Sequence, residues 1–296
     1  MDAILQDSDF LTVNTQKDTK EIVGDILNSE KSILAIPPRF EEAEVTILPP
    51  PSNSEKYIGL FSSGSTGEPK CLWNKQSNLN VNAEISVKAF SIQRNDRLLI
   101  LASPWHVAGL SWAAMAEVAG SSWEIVTPYV KNSAQWIDII KNFNPTLLLT
   151  VPSVLRYLAE YDNWFVPRIA FGGASLDQGD YELLKGHCDS VIQAYGQTEA
   201  GGLISLSERK LSDANPKIDF NDVGKAPSEF EITCLGTMEK PDTVFLTSSS
   251  SVSDEKYDTG DLGFFDENGN LHLTGRKNDS SGNCNMITAV TSVAHK

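Results

Sequence analysis

The chain has 296 residues, 41% of them hydrophobic and 21% charged, which is the make-up of a globular protein with room for a large core. Its 39 acidic residues outnumber 24 basic ones, for a formal charge of −15, which argues against a general nucleic-acid or anionic-membrane surface while leaving room for a locally positive nucleotide pocket. Asp2, Asp7 and Asp9 interrupt any apolar run near Met1, no basic segment accompanies them, and no stretch reaches the length of a membrane span, so the expectation is a cytoplasmic protein without membrane insertion. Cys71, Cys188, Cys234 and Cys284 are scattered, with no C-x-x-C pair, which points to reduced thiols rather than a disulfide framework or a zinc site.

In chain order, Asp18 or Thr19 can cap a short helix over Lys20–Asn28, Ile33-Leu34-Ala35-Ile36 reads as a strand, and Pro49–Ser54 as a linker. Tyr57–Phe61 is an apolar strand that runs into Ser62-Ser63-Gly64-Ser65-Thr66-Gly67-Glu68-Pro69-Lys70. From there, short apolar runs alternate with amphipathic segments, the pattern of β-α-β units and a largely parallel sheet. Ser77 can cap a helix through about Ile92, and a strand over Arg97–Ala102 ends at Ser103-Pro104-Trp105-His106. A helix over Ala113–Ala119, a strand over Trp123–Val126, a helix over Ala134–Phe143 and a strand over Thr146–Val151 come next. Pro152 suits the first position of the next helix, since its missing N–H has no helical partner there. Arg168–Phe171 is a strand running into Gly172-Gly173-Ala174, Asp177–Lys185 a helix, and Ser190–Ala194 a strand running into Tyr195-Gly196-Gln197-Thr198-Glu199. The last third changes character: Phe230–Leu235, Thr243–Thr247, Gly260–Phe265 and Asn270–Thr274 are short strands, with Asn268-Gly269 as a hairpin turn and Ser248–Ser251 as an exposed loop.

The chemistry gathers where these strands end, which is where ligands bind in open α/β sheets. In Ser62–Lys70, glycines allow backbone N–H groups to approach an anion, hydroxyls add donors and Lys70 adds a mobile charge, a combination suited to polyphosphate. A flexible Ser/Gly linker has the same composition; a Walker loop does not fit, because Pro69 and Cys71 stand where Gly and Ser/Thr belong. Tyr195–Glu199 brings together an aromatic face for a base, a hydroxyl for a phosphate oxygen and a carboxylate for Mg2+. Tyr257–Gly263 adds Asp258 and Asp261 on a tight turn, where Asp261 suits the vicinal hydroxyls of a ribose and where both are also common turn residues. Arg276 follows the last strand, a position that a surface ion pair would equally explain.

Ser62–Lys70, Gly172-Gly173-Ala174, Tyr195–Glu199, Val223-Gly224-Lys225-Ala226-Pro227, Tyr257–Gly263 and Thr274-Gly275-Arg276-Lys277 resemble, in the same order, the core motifs of the acyl-adenylate-forming superfamily of acyl-CoA synthetases, nonribosomal peptide synthetase adenylation domains and luciferases. The resemblance spans about residues 56–279, and its strength lies in the ordered set rather than in any one motif. It implies that family's large domain: stacked α/β subdomains with a small antiparallel β subdomain. The expected division is a shortened lead-in over 1–55, an ATP- and acyl-binding core over 56–227, the β subdomain over 228–275, and a hinge with a residual tail over 276–296.

Position by position, the resemblance implies that Ser62, Ser63, Gly64, Ser65, Thr66, Gly67 and Lys70 hold the β- and γ-phosphates of ATP. Gly172, Gly173 and Ala174 with Tyr195 and the adjoining Gly196 would form the adenine site, and Asp261 and Arg276 would hold the ribose. Thr198 would contact the α-phosphate, Glu199 would bind Mg2+, and His106 would line the pocket of a small carboxylic acid, with CoA as the usual second substrate. Within the superfamily, the His106–Leu110 segment is most similar to o-succinylbenzoate–CoA ligases of menaquinone synthesis. The superfamily's mobile C-terminal domain, which carries a lysine bridging carboxylate and α-phosphate, would follow Arg276-Lys277; Ser280–Lys296 holds no such lysine motif. Losing one preorganised cationic donor typically costs about 10²–10³ in rate. A catalytically silent nucleotide- or acyl-binding homologue therefore stands beside the ligase as the alternative.

Overall fold

A computed structural model describes residues 10–12, 19–37, 50–51, 54–63, 69–127, 133–211, 219–252 and 255–277. Three sheets organise them. In the first, β1 (Phe10–Thr12), β2 (Ser32–Leu34) and β3 (Tyr57–Ser63) are parallel neighbours, and β4 (Pro69–Lys75) returns antiparallel to β3. The expected boundary after residue 55 thus falls between two hydrogen-bonded strands. Strand β4 is not apparent from the sequence, because Pro69 opens it and its residues lack regular alternation; proline is tolerated there as a strand's first residue.

The second sheet has six strands in the order β10-β9-β8-β7-β5-β6. They are β5 (Arg97–Leu101), β6 (Ser122–Ile125), β7 (Leu147–Thr150), β8 (Arg168–Gly172), β9 (Ser190–Gln197) and β10 (Gly202–Lys210). All pair in parallel except β10, which folds back along β9 and is a second strand the sequence pattern does not reveal. Side-chain alternation divides the core between the two faces. Leu98, Ile100, Leu147, Leu149, Ala170 and Ile192 pack on one side, and Leu99, Leu101, Leu148, Ile169, Phe171 and Val191 on the other. The first face meets helices α1 (Thr19–Leu27), α2 (Gln76–Ala89) and α3 (Val107–Ala119), and Ile58 and Leu60 of the first sheet close the same cluster from beyond. The second face is covered by α4 (Ser133–Phe143), α5 (Pro152–Leu158) and α6 (Gln178–Leu184). The result is a stack of sheet, helices, sheet and helices, with each apolar stripe buried against the next layer.

Local chemistry explains the starts of α5 and α6. Pro152 opens α5 as expected, and Asp177 and Asp180 form a capping box at α6, each carboxylate accepting the other's backbone N–H at 2.9 Å. Helix α2 departs from expectation. It begins at Gln76 with Lys75 as N-cap and no side-chain cap, because its first N–H donates to the Lys56 carbonyl at 2.9 Å; Ser77 lies inside it.

The third sheet is antiparallel, ordered β11 (Glu231–Thr233), β12 (Asp242–Thr247), β13 (Tyr257–Phe265) and β14 (Leu271–Arg276). Tyr257–Gly263, expected as a tight turn, is part of β13, and the turn chemistry survives as a bond from Gly260 N–H to Asp258 Oδ1 at 2.8 Å. The Val223–Pro227 motif joins this sheet to the second: Val223 N–H donates to Leu271 O, Leu271 N–H to Gly224 O, and Leu206 N–H to Lys225 O. Gly224 has φ +75°, and a Cβ there would stand 1.9 Å from the Leu206 carbonyl oxygen, so only glycine lets the two sheets approach. Among the described residues no helix is long and apolar enough to cross a membrane.

Candidate functional site

The order of the second sheet reverses between β5 and β7, with β6 on one side and β7, β8 and β9 laid down on the other. A crevice beyond the carboxyl ends of the strands is the expected ligand position in such a sheet. His106 stands at that reversal, half-buried after β5, as the N-cap residue of α3. At the next strand ends, Gly172 closes β8 against the Ala194 carbonyl and the Trp112 indole, while Gly173 and Ala174 continue into a loop where nothing lies within 4 Å of a Cβ built on Gly173.

Strand β9 then carries Tyr195, Gly196 and Gln197 into a 3-10 turn over Thr198–Ala200. Tyr195 is buried, and its hydroxyl donates to Asp261 Oδ2 at 2.6 Å; Gln197 Nε2 donates to the same oxygen at 2.6 Å and to the Thr259 carbonyl at 3.0 Å. Arg276 Nε, one strand over on β14, reaches Asp261 Oδ1 at 2.8 Å. Both carboxylate oxygens of Asp261 therefore have partners, and the residue is only 2% exposed. Burial pushes its pKa above the usual carboxylate range, with the Arg276 guanidinium and the Tyr195 and Gln197 donors pulling the other way. The Tyr195 hydroxyl is raised well above its ordinary value, first by burial and then by the neighbouring Asp261 charge. Lys277 Nζ meets Asp258 Oδ2 at 2.5 Å, so consecutive basic residues on β14 and just beyond it pair with the two acids of β13.

Thr198 and Glu199 are half-exposed, and among the described residues neither side chain has a hydrogen-bond partner. The backbone beneath them is closely tied: Gly201 N–H donates to Thr198 O, Val252 N–H to Glu199 O, and Ser250 Oγ to Ala200 O. The serine loop over Ser248–Ser251 is thus not the exposed loop expected. Ser248, Ser250 and Ser251 are buried: the Ser248 and Ser250 hydroxyls bond one another, Ser250 Oγ donates to Ala200 O, and Ser251 offers its backbone carbonyl. From the other side, Asn82 of α2 donates to Ala200 O and Leu203 O, and Asn78 donates to Ser251 O. Sequence reasoning missed these residues and did not single out Gln197. The available signal was Asn78, Asn82 and Ser86 at four-residue intervals, a polar stripe that shares the buried face of the helix with Leu79, Ala83 and Ile85.

Ser62 and Ser63 end β3, opposite Lys70 and Pro69 at the start of β4; Gly64, Ser65, Thr66, Gly67 and Glu68 lie outside the described residues. Strand β4 itself runs against the Thr198–Ala200 turn, so the hairpin and that turn belong to neighbouring elements. The structure brings Tyr195, Asp261 and Arg276 into one hydrogen-bonded group, with Thr198 and Glu199 directly after Gln197 in the chain. His106 and Gly172–Ala174 stand at other strand ends of the same sheet. The Glu199 carboxylate, without a hydrogen-bond partner among the described residues and beside the Thr198 hydroxyl, fits Mg2+, which takes one or two protein carboxylates and completes its octahedron with water and phosphate oxygens. No group of three or more His, Cys, Asp or Glu able to hold a metal occurs among the described residues.

Stacked α/β layers, an antiparallel β subdomain and these strand-end motifs define the large domain of an adenylate-forming enzyme. The AMP-binding enzyme family matches residues 4–239, and the chain belongs to that family. It is 27% identical over 238 residues to the 2-succinylbenzoate–CoA ligase of Bacillus licheniformis, covering 74% of this chain and 49% of that one. It is 23% identical over 227 residues to the 3,4-dihydroxybenzoate–[aryl-carrier protein] ligase of Bacillus anthracis, covering 76% and 52%. The chain thus spans about half the length of the curated relatives it matches. The solved O-succinylbenzoate coenzyme A synthetase of Bacillus subtilis, in complex with ATP and magnesium ion, shares its fold with a TM-score of 0.67 at 21% identity, over 93% of this chain and 61% of that one.

Proposed function

We propose that this chain binds MgATP and a small carboxylic acid and joins them as an acyl-adenylate with release of pyrophosphate. An aryl acid of the o-succinylbenzoate kind is the proposed substrate, CoA the thiol that accepts the acyl group afterwards, and the reducing cytoplasm the setting. The observation that carries the reading is the half-exposed Glu199, whose carboxylate has no hydrogen-bond partner among the described residues, on a tied-down turn directly after the buried Tyr195–Asp261–Arg276 group. Supporting it, the Bacillus relatives are named as acid–CoA and acid–carrier ligases.

The substrate carboxylate is ionised at neutral pH and needs no general base. One of its oxygens attacks the α-phosphorus, the new P–O bond forms as the bond to pyrophosphate breaks, and the electron pair leaves on the bridging oxygen. The protein contributes positioning and charge neutralisation. Asp261 accepts the ribose hydroxyls, with Arg276 giving up part of its present hold on Oδ1. The Gly172–Ala174 loop and Tyr195 enclose the base, Thr198 donates to the α-phosphate, Glu199 holds the metal, Ser62–Lys70 cradles the outer phosphates, and His106 lines the acid pocket. Mg2+ supplies neutralisation of the phosphate charge when bound.

The test is carboxylate-dependent exchange of labelled pyrophosphate into ATP over a panel of acids that begins with o-succinylbenzoate. Exchange with an aryl acid, reduced about 100-fold or more by Glu199→Ala, is the expected outcome. Nucleotide binding with no exchange for any acid would sink the ligase reading in favour of a silent binding protein. Thioester formation on adding CoA tests the second step separately.

A further inference from the structure

We infer that Asn82 and Ser250 are positioning residues for the metal carboxylate: they fix the Thr198–Glu199 turn from behind, through its backbone, without reaching the site themselves. The inference rests on the proposed role of Glu199. Both side chains are fully buried, at 0% exposure. Asn82 uses both ends of its amide. Nδ2 donates to Ala200 O at 3.2 Å, Leu203 O at 2.9 Å and Ser250 Oγ at 3.4 Å, while Oδ1 accepts from Leu203 N–H at 3.0 Å and Ser86 Oγ at 3.2 Å. Ser250 Oγ donates to Ala200 O at 3.0 Å and stands 2.9 Å from Ser248 Oγ.

The carbonyls of Thr198, Glu199 and Ala200 are therefore all taken, the first by the Gly201 N–H within the turn, the second by the Val252 N–H just after the serine loop, and the third by Asn82 and Ser250. A turn with every carbonyl committed has little freedom to rotate, and its side chains inherit that constraint. The close fit extends to the two glycines after the turn. Gly201 and Gly202 have positive φ, and Cβ atoms there would stand 2.9 Å from Ser250 O and 2.8 Å from Asn82 Oδ1. Helix α2 and the serine loop after β12 thus clasp the backbone that carries Glu199 from two sides. Partners hydrogen-bonded directly to a metal ligand typically matter about 10–100-fold in metal affinity, and a hold on the backbone one residue further on is expected at the lower end of that range.

The experiment compares ATP binding with and without Mg2+, by calorimetry, in wild type, Ser250→Ala, Asn82→Asp and Ser86→Ala. Ser86 touches Asn82 but not the turn, so its variant reports the general cost of disturbing this helix face. Ser250→Ala and Asn82→Asp are expected to lose about tenfold or more of the Mg2+-dependent gain in ATP affinity, with metal-free AMP affinity within about twofold of wild type and Ser86→Ala unaffected. An undiminished Mg2+ gain in Ser250→Ala overturns the inference, as does a parallel loss of metal-free AMP affinity. Should Asn82→Asp fail to fold, Ser250→Ala decides alone. If wild type binds no MgATP, the proposed function fails, and amide exchange over Gly201–Leu203 decides the inference by itself. Protection lost in Ser250→Ala sustains the hold on the turn, and unchanged protection refutes it.

Discussion

Replacing Asp261 tests the proposed nucleotide site and the network behind it together. In Asp261→Ala the Tyr195 hydroxyl loses its acceptor at 2.6 Å, whereas Gln197 keeps the Thr259 carbonyl at 3.0 Å, so between one and two buried donors are left unpaired. At about 1–3 kcal/mol for each orphaned buried donor, the loss is about 2–4 kcal/mol. The Arg276 side chain is 51% exposed and rehydrates, so its broken ion pair adds at most about 1 kcal/mol. Against this, the variant no longer buries a charge that its surroundings disfavour, which places the expected loss near the lower end, about 2 kcal/mol. In Asp261→Asn the remaining oxygen can face Tyr195 and Gln197 while the new amide faces Arg276, which turns to solvent, so about 1 kcal/mol is expected. Urea unfolding measures both. On the same samples AMP affinity should fall about tenfold or more in Asp261→Ala, since hydrogen bonds to a charged group are worth about 1.5–3 kcal/mol. A stability within about 0.5 kcal/mol of wild type would refute the network argument, and an unchanged AMP affinity would refute the ribose assignment.

Gly224→Ala places a methyl 1.9 Å from Leu206 O at a backbone φ of +75°, and a loss of more than about 3 kcal/mol in thermal or urea unfolding is expected, with a smaller change pointing to slack between the two sheets. Asp266 is held down to about 2 from an ordinary 3.8, first by the Asn270 backbone N–H; a lowered acid stabilises the fold above its unfolded value and loses that contribution as pH falls from 3.8 toward 2. NMR of the β13–β14 turn should show it loosening over that window in wild type, and Asp266→Asn should remove the transition. Burial pushes the Cys71 thiol up to about 11 and Cys188 up to about 12, so both should resist alkylation at pH 8 in the folded protein and react on unfolding; fast labelling of native Cys188 would contradict its burial.

The alternation of apolar runs and amphipathic segments made the parallel part of the second sheet legible, because strands buried on both faces must be almost wholly apolar. Strands β4 and β10 escaped for the opposite reason. Each returns antiparallel at a sheet edge, where one side meets polar surroundings and no apolar run is required. The motifs at strand ends were legible as chemistry, but the contacts that secure them were not, since Asn82 and Ser250 lie 168 residues apart and meet only in the folded chain. A run of four serines carries the composition of an exposed loop, and nothing local distinguishes hydroxyls that face water from hydroxyls that replace it. The pairing of Asp261 with Arg276 shows the same limit in a sharper form. Each was expected to reach for a ribose, and the structure pairs them with one another, since a buried carboxylate needs partners for its charge. On the proposed ribose role, nucleotide binding would therefore require an exchange of partners at Asp261 Oδ1, where Arg276 now stands.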